Sequence, residues 1–248
     1  MHSEDRKERA FVAGATGLTG RYVVQHLRSV DIPTTAHIRP DSSRLQSWSD
    51  RFVAQGAEIS TAVWDIDSME EALRLARPTT VFALLGTTKK RSRAGDGDYQ
   101  TVDYGLTACL IDACCRLENK PRLIYLSAVG VKPDSTSAYY VARAQSEAKL
   151  QESGLTGVIA RPSFILGDRD DGRPGESLGA PIVDGLLACA RVIGAGKLAA
   201  PYRSMTGEEL ASGLVELSRT WPTETIVHVP ELRAASRRFV ERIPSGNE

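Results

Sequence analysis

Tyr139 and Arg143 stand four residues apart in the run Ala138-Tyr139-Tyr140-Val141-Ala142-Arg143, twelve residues after Ser127. On a helix, positions i and i+4 share one face, so this spacing sets a cation beside a phenol. A nearby positive charge favours the phenolate, and a tyrosine so placed can hand a proton to a developing alkoxide. A serine hydroxyl such as that of Ser127 can hold the oxygen being protonated. The alternative is a packed aromatic beside a surface cation, and only the position of the pair behind Ser127 argues against it. Shifting the register to Tyr140 puts Ala144 at i+4 and loses the cation.

A second group of residues is suited to a different task. Gly14-Ala15-Thr16-Gly17-Leu18-Thr19-Gly20 lies between the first apolar run and the first helical pattern. Glycines there permit a tight turn and let backbone N–H groups approach a pyrophosphate. The start of the following helix adds partial positive charge. The spacing is GxxGxxG, not the GxGxxG of the standard dinucleotide fingerprint. An ordinary glycine-rich turn is the competing reading; the position between strand and helix favours a dinucleotide site formed by Gly14, Thr16, Gly17, Leu18, Thr19 and Gly20. Nineteen residues past Gly20 comes Arg39, with Asp41 just beyond and Arg44 one turn into the next helix. An arginine fork at that place matches a ribose 2′-phosphate, so NADP(H) is favoured over NAD(H).

The elements that must hold these residues follow from periodicity. Apolar runs predict strands near 10–14, 33–38, 58–63, 79–85, 122–127 and 156–160. Helical patterns fall near 18–30, 42–55, 67–76, 99–117 and 137–153. Strand and helix alternating this regularly predict an α/β fold, a Rossmann-type doubly wound parallel sheet. Past residue 161 the rhythm breaks. A Gly-, Pro- and charge-rich loop is expected at 167–181, then helices near 181–191, 206–219 and 230–240, with a short strand at 225–229. The whole chain, 1–248, reads as a single domain: a charged arm over 1–9, a core over about 10–161, and a small C-terminal substrate-side extension over about 162–248.

Composition excludes several classes. With 31 basic and 31 acidic residues the formal charge is zero, so no global field draws nucleic acid or an anionic membrane. No apolar run reaches the ~20 residues of a membrane helix, and the opening residues lack the apolar stretch of a secretory signal. Cys109, Cys114, Cys115 and Cys189 have no metal or CxxC spacing, which suits a reduced, cytoplasmic protein. His2, His26, His37 and His228 are scattered, so no metal site is expected. The basic run Lys89-Lys90-Arg91-Ser92-Arg93 reads as a solvated loop, lacking the aromatic interleaving of a nucleic-acid surface.

Taken together, Gly14–Gly20, Ser127, Tyr139-x-x-x-Arg143 and Arg161-Pro162 resemble the short-chain dehydrogenase/reductase superfamily in its atypical branch. Leu85-Gly86-Thr87-Thr88, Val102-Asp103, Leu126-Ser127 and Arg173-Pro174-Gly175-Glu176 are similar, in this order, to the Tat-interacting oxidoreductase-like proteins. The likeness runs over about 10–217. It implies NADP(H) binding, with Ser127 and Tyr139 in the Ser/Tyr catalytic places and Arg143 where the family carries a lysine. It also implies that Leu85, Gly86 and Thr87 lie near the nicotinamide ribose and that the 167–181 loop lies near the substrate mouth. Arg143 keeps the lysine's charge in a bulkier, forked form. Asp103 is expected to order the fourth helix against the glycine loop.

Two functions remain. One is an NADPH-dependent reductase of a small carbonyl or quinone-like substrate, with Ser127, Tyr139 and Arg143 as its catalytic group. The other is a non-catalytic NADP(H)-binding regulator or redox sensor with a protein partner; isomerase or epimerase chemistry is a third, lesser reading. The oligomeric state is open, with a monomer the simpler expectation.

Overall fold

The computed structural model describes residues 7–86, 99–166 and 204–243. Its first half alternates strand and helix: β1 (Ala10–Ala13), α1 (Gly20–Ser29), β2 (Thr34–His37), α2 (Leu45–Ala54), β3 (Glu58–Ser60), α3 (Ile66–Ala76) and β4 (Thr80–Ala83). A π-helical turn (Tyr99–Gly105) then leads into α4 (Leu106–Arg116), followed by β5 (Arg122–Leu126), α5 (Ala138–Glu152) and β6 (Gly157–Ala160). The remainder holds β7 (Ile165–Leu166), β8 (Met205–Thr206), α6 (Gly207–Thr220), β9 (Ile226–Val227) and α7 (Val229–Arg242).

Seven strands form one sheet in the order β3-β2-β1-β4-β5-β6-β9, and every neighbouring pair is parallel. This is the doubly wound, Rossmann-type arrangement. β1, β2 and β4 are buried along their whole length, as strands covered on both faces must be. Successive residues feed opposite cores. Val12, Ile124 and Val158 pack with α1, α2, α6 and α7, while Phe11, Leu123, Tyr125 and Ile159 pack with α3, α4 and α5. The chain winds outward from β1 in one direction and from β4 in the other, so the order reverses between them. Loops leaving β1 and β4 therefore part at the crevice where such sheets take ligands.

Helix boundaries follow local chemistry. Asp65 caps α3 by accepting from the Ser68 N–H, Thr206 caps α6 by accepting from the Glu209 N–H, and Pro230 with Glu231 opens α7. The C-terminal segment does more than cover one end of the sheet. β9 extends it beyond β6, and α6 and α7 lie across the α1 face. A Cβ on Gly213 would come within 2.6 Å of the Leu232 carbonyl, so α6 and α7 cross at close range. The expected helix near 181–191, the 167–181 loop and the basic run at 89–93 lie outside the described residues.

Candidate functional site

Gly14, directly after β1, has φ of +83°, and a Cβ there would stand 2.5 Å from the Leu84 carbonyl. Only glycine lets the chain turn in the left-handed region and pass this close to the end of β4. A Cβ on Gly20 would collide with the Gly14 carbonyl, and one on Gly17 would meet it at 3.1 Å. The loop is thus a narrow cradle whose Gly17 N–H donates to the Gly14 carbonyl at 2.9 Å. Ala15, Thr16, Leu18 and Thr19 complete it. Thr19 caps α1 without a side-chain bond, and no acidic residue stands in the first turn to repel an anion. A dinucleotide pyrophosphate fits such a cradle: its close approach needs the missing Cβ atoms, and the helix start supplies the matching partial charge.

Arg39 follows β2, where its side chain is 41% exposed and lies 3.4 Å from Asp41. At that exposure the pair is weak, and the fork stays available to a stronger anion. Arg44 stacks over Trp48, 5.4 Å from the ring centre, and Arg51 lies 5.2 Å from the same ring. Behind them His37 is buried, its Nε2 2.9 Å from the Ala62 carbonyl and its ring against Trp64. Burial pushes its pKa down, against a smaller upward pull from that carbonyl.

At the carboxyl ends of β4 and β5 the structure brings together Leu85, Gly86, Ser127, Tyr139 and Arg143. The Arg143 guanidinium is buried. Its Nη1 donates to the Leu126 carbonyl at 2.5 Å and to Tyr125 Oη at 3.3 Å. Its Nη2 donates to the Leu85 carbonyl at 3.1 Å and to Asp103 Oδ1 at 2.8 Å. Four contacts thus tie β4, β5, α5 and the π-helical turn to one side chain. Burial works against the charge, but Tyr125, Tyr139 and Asp103 outweigh it and raise the Arg143 pKa further. The Tyr125 hydroxyl beside it is itself pushed up by burial, despite Arg143 pulling the other way. Gly86 leaves room for this fork, since a Cβ there would stand 2.7 Å from Arg143 Nη2 and displace it.

Tyr139 sits half-buried in the first turn of α5, its ring 5.3 Å from the Arg143 guanidinium carbon. The cation therefore lies against the ring face. Ser127 turns inward: buried at the end of β5, its Oγ donates to Glu147 Oε1 at 2.5 Å. Arg161 grips the same carboxylate from β6, Nε to Oε1 at 2.9 Å and Nη2 to Oε2 at 2.5 Å. Residues after Ser127 at this edge are Ala128, Val129 and Gly130, which carry no polar side chain.

Sequence reasoning missed Glu147 altogether and did not foresee that Asp103 pairs with Arg143. Asp103 is fully buried, its Oδ1 2.8 Å from Arg143 Nη2 on α5. Glu147 had a signal: it lies four residues after Arg143, on the helix face that carries the candidate site, where a carboxylate must find partners to be buried. Thr87 lies outside the described residues. Leu18 has an unforeseen neighbour, for a Cβ on Gly207 at the start of α6 would be 2.8 Å from its carbonyl.

Comparisons with known proteins agree with this geometry. A family model described as NAD(P)H-binding matches residues 14–181. The Dictyostelium discoideum protein named NADH dehydrogenase [ubiquinone] 1 alpha subcomplex subunit 9, mitochondrial, is 26% identical over 166 residues, 65% of this chain and 43% of its own length. The Aspergillus clavatus protein fmp52, mitochondrial, is 27% identical over 169 residues, 66% of this chain and 69% of its own. This chain thus spans less than half the length of the first relative. Among solved structures, Thermus thermophilus UDP-glucose 4-epimerase in complex with NAD superposes with a TM-score of 0.63 at 20% identity, covering 97% of this chain and 85% of that one. At that identity the likeness is one of fold. With the matched segment spanning the glycine cradle, Leu85, Gly86 and the Tyr139–Arg143 helix, the chain belongs to the NAD(P)H-binding family and has a Rossmann-type fold.

Proposed function

We propose that this protein is an NADP(H)-dependent oxidoreductase that reduces a small carbonyl or quinone-like substrate, with Tyr139 as proton donor. The observation that carries the reading is Tyr139 itself: a half-buried phenol, backed by the Arg143 guanidinium, at the end of the sheet where the glycine loop also opens. When bound, the reduced dihydronicotinamide supplies a hydride. Gly14–Gly20 and the start of α1 hold the pyrophosphate, Leu85 and Gly86 form the floor below the nicotinamide ribose, and Arg39 receives the 2′-phosphate. Tyr139 Oη gives a proton to the substrate oxygen. Arg143 and Ser127 act through others. Arg143 fixes the floor and stabilises charge on Tyr139, and Ser127 anchors α5 through Glu147 and Arg161.

A second reading, a regulator that binds NADP(H) without turnover, is favoured by one observation. The Ser127 proton and all four contacts of the Arg143 terminal nitrogens are directed to protein acceptors. The two readings separate on one variant. Tyr139→Phe in the reductase retains NADPH binding and loses ~10²–10⁴-fold in turnover, the usual worth of a positioned proton donor. In the regulator it changes neither, and NADPH stays unoxidised with every carbonyl and quinone offered. Among the described residues no helix is long and apolar enough to cross a membrane. The proposed location is the cytoplasm, on the ground of the free thiols of Cys109, Cys114 and Cys115 among the described residues, while the relatives named above are named mitochondrial. Imaging a tagged full-length chain tests it.

A further inference from the structure

Three tyrosines meet beside the proposed proton donor. Tyr139 stands edge to face with Tyr99, ring centres 5.5 Å apart and planes at 73°, and with Tyr140, 5.2 Å apart at 66°. They come from two distant segments, the π-helical turn before α4 and the first turn of α5. Unlike Tyr125, which is wholly enclosed, all three are half-buried and keep part of their surface at the mouth. Edge-to-face contacts of this kind suit a further flat ring.

Among the described residues the same edge is poor in other donors. Ser127 donates its hydroxyl hydrogen bond to Glu147, the Arg143 terminal nitrogens are held by Leu85, Leu126, Tyr125 and Asp103 while its Nε is enclosed, and Ala128-Val129-Gly130 offer no polar side chain. Among these residues a substrate oxygen meets phenols, with neither an uncommitted serine nor an uncommitted cation beside them. That set is chemically selective. Hydride addition to an aliphatic ketone makes an alkoxide with its charge on one oxygen, which calls for several strong, preorganised donors. Reducing a quinone makes a hydroquinone monoanion, whose charge spreads over the ring and whose conjugate acid is itself a phenol. A tyrosine is itself a phenol and so is matched in kind to protonate it.

We propose that the substrate is a planar quinone seated against Tyr99, Tyr139 and Tyr140; this rests on the reductase reading above. The quinone takes two electrons and two hydrogens. The dihydronicotinamide gives up a hydride and is oxidised to the pyridinium. The Tyr139 O–H bond breaks as the second hydroquinone O–H forms, and solvent water returns the proton to Tyr139.

The test uses the full chain with NADP⁺ present, so that binding is read without turnover. The probes are duroquinone, whose ring carbons are fully substituted and spare the free thiols, and the aliphatic ketone trans-2-decalone. Binding is followed by saturation-transfer NMR, with NADPH oxidation measured in parallel. The expected result is that duroquinone binds and is reduced, decalone does neither, and Tyr99→Leu and Tyr140→Leu each weaken quinone binding by about threefold to tenfold. Decalone binding or reacting as well as duroquinone, or both variants binding the quinone like wild type, overturns the quinone assignment and leaves the reductase standing. If neither probe binds or is reduced while NADPH itself still binds, the quinone assignment falls, and the reductase reading is decided separately by the carbonyl panel and Tyr139→Phe.

Discussion

The buried Arg143 guanidinium joins the ends of β4 and β5 to α5 and the π-helical turn. Its position four residues after Tyr139 announces a cation on α5. What it binds was not legible, because Leu85 and Asp103 lie 58 and 40 residues away. Removing the guanidinium takes the paired cation from the Asp103 carboxylate, which is fully buried. Arg143→Met is therefore expected to lose about 3–5 kcal/mol in urea unfolding, the range for breaking a buried pair on one side. Arg143→Met combined with Asp103→Leu recovers most of that loss, whereas simple addition of the two single effects would contradict the pairing. Ser127 teaches the same lesson, since its hydroxyl direction is set by Glu147, twenty residues further on. Two histidines, His37 buried and His26 half-buried, give a pH dependence. Burial lowers the pKa of both His37 and His26 below the ordinary 6.5, so the unfolded chain takes up protons that the fold resists. Their contribution is complete above about pH 6.5 and is lost as the pH falls from there through the lowered values. The melting temperature should thus drop between pH 7 and pH 5, and less steeply in His37→Asn; an unchanged slope in that variant would exclude His37 as a source.

Among the elements, β1, the glycine loop and α1 were the most legible, because a buried apolar run, three spaced glycines and a helical pattern agree with one another. The helix expected at 99–117 was legible only as a helix. Its first seven residues form the π-helical turn, and α4 begins at Leu106. Hydrophobic periodicity does not report a widened turn, and here that turn carries Asp103 to Arg143 and Tyr99 to Tyr139. β7 and β8 escaped notice because a two-residue bridge has no period to detect. The approach of α6 to the glycine loop leads to a prediction at this scale. Since a Cβ on Gly207 would press on the Leu18 carbonyl, Gly207→Ala should weaken nucleotide binding about tenfold while circular dichroism stays that of the wild type. Wild-type affinity in Gly207→Ala would mean that α6 and the loop move independently.

For the whole molecule, alternation of strand and helix sufficed to predict a parallel sheet covered on both faces. It could not supply the place of the C-terminal segment, because β9 contributes just Ile226 and Val227 to the seventh position. The sheet order nevertheless sets the functional crevice: the loops from β1 and β4 diverge there, and Arg143 links the β4 side of that crevice to α5 and Tyr139. Everything proposed for Tyr139 depends on a pyridine nucleotide occupying the glycine cradle. The most direct measurement is a fluorescence titration of the purified chain with NADPH and, separately, NADH. Saturable enhancement is expected with both, tighter for NADPH, with a preference that narrows about tenfold when Arg39→Ala removes a charge-assisted phosphate contact. Absence of saturable binding by either nucleotide would contradict the cradle's assignment and every role built upon it.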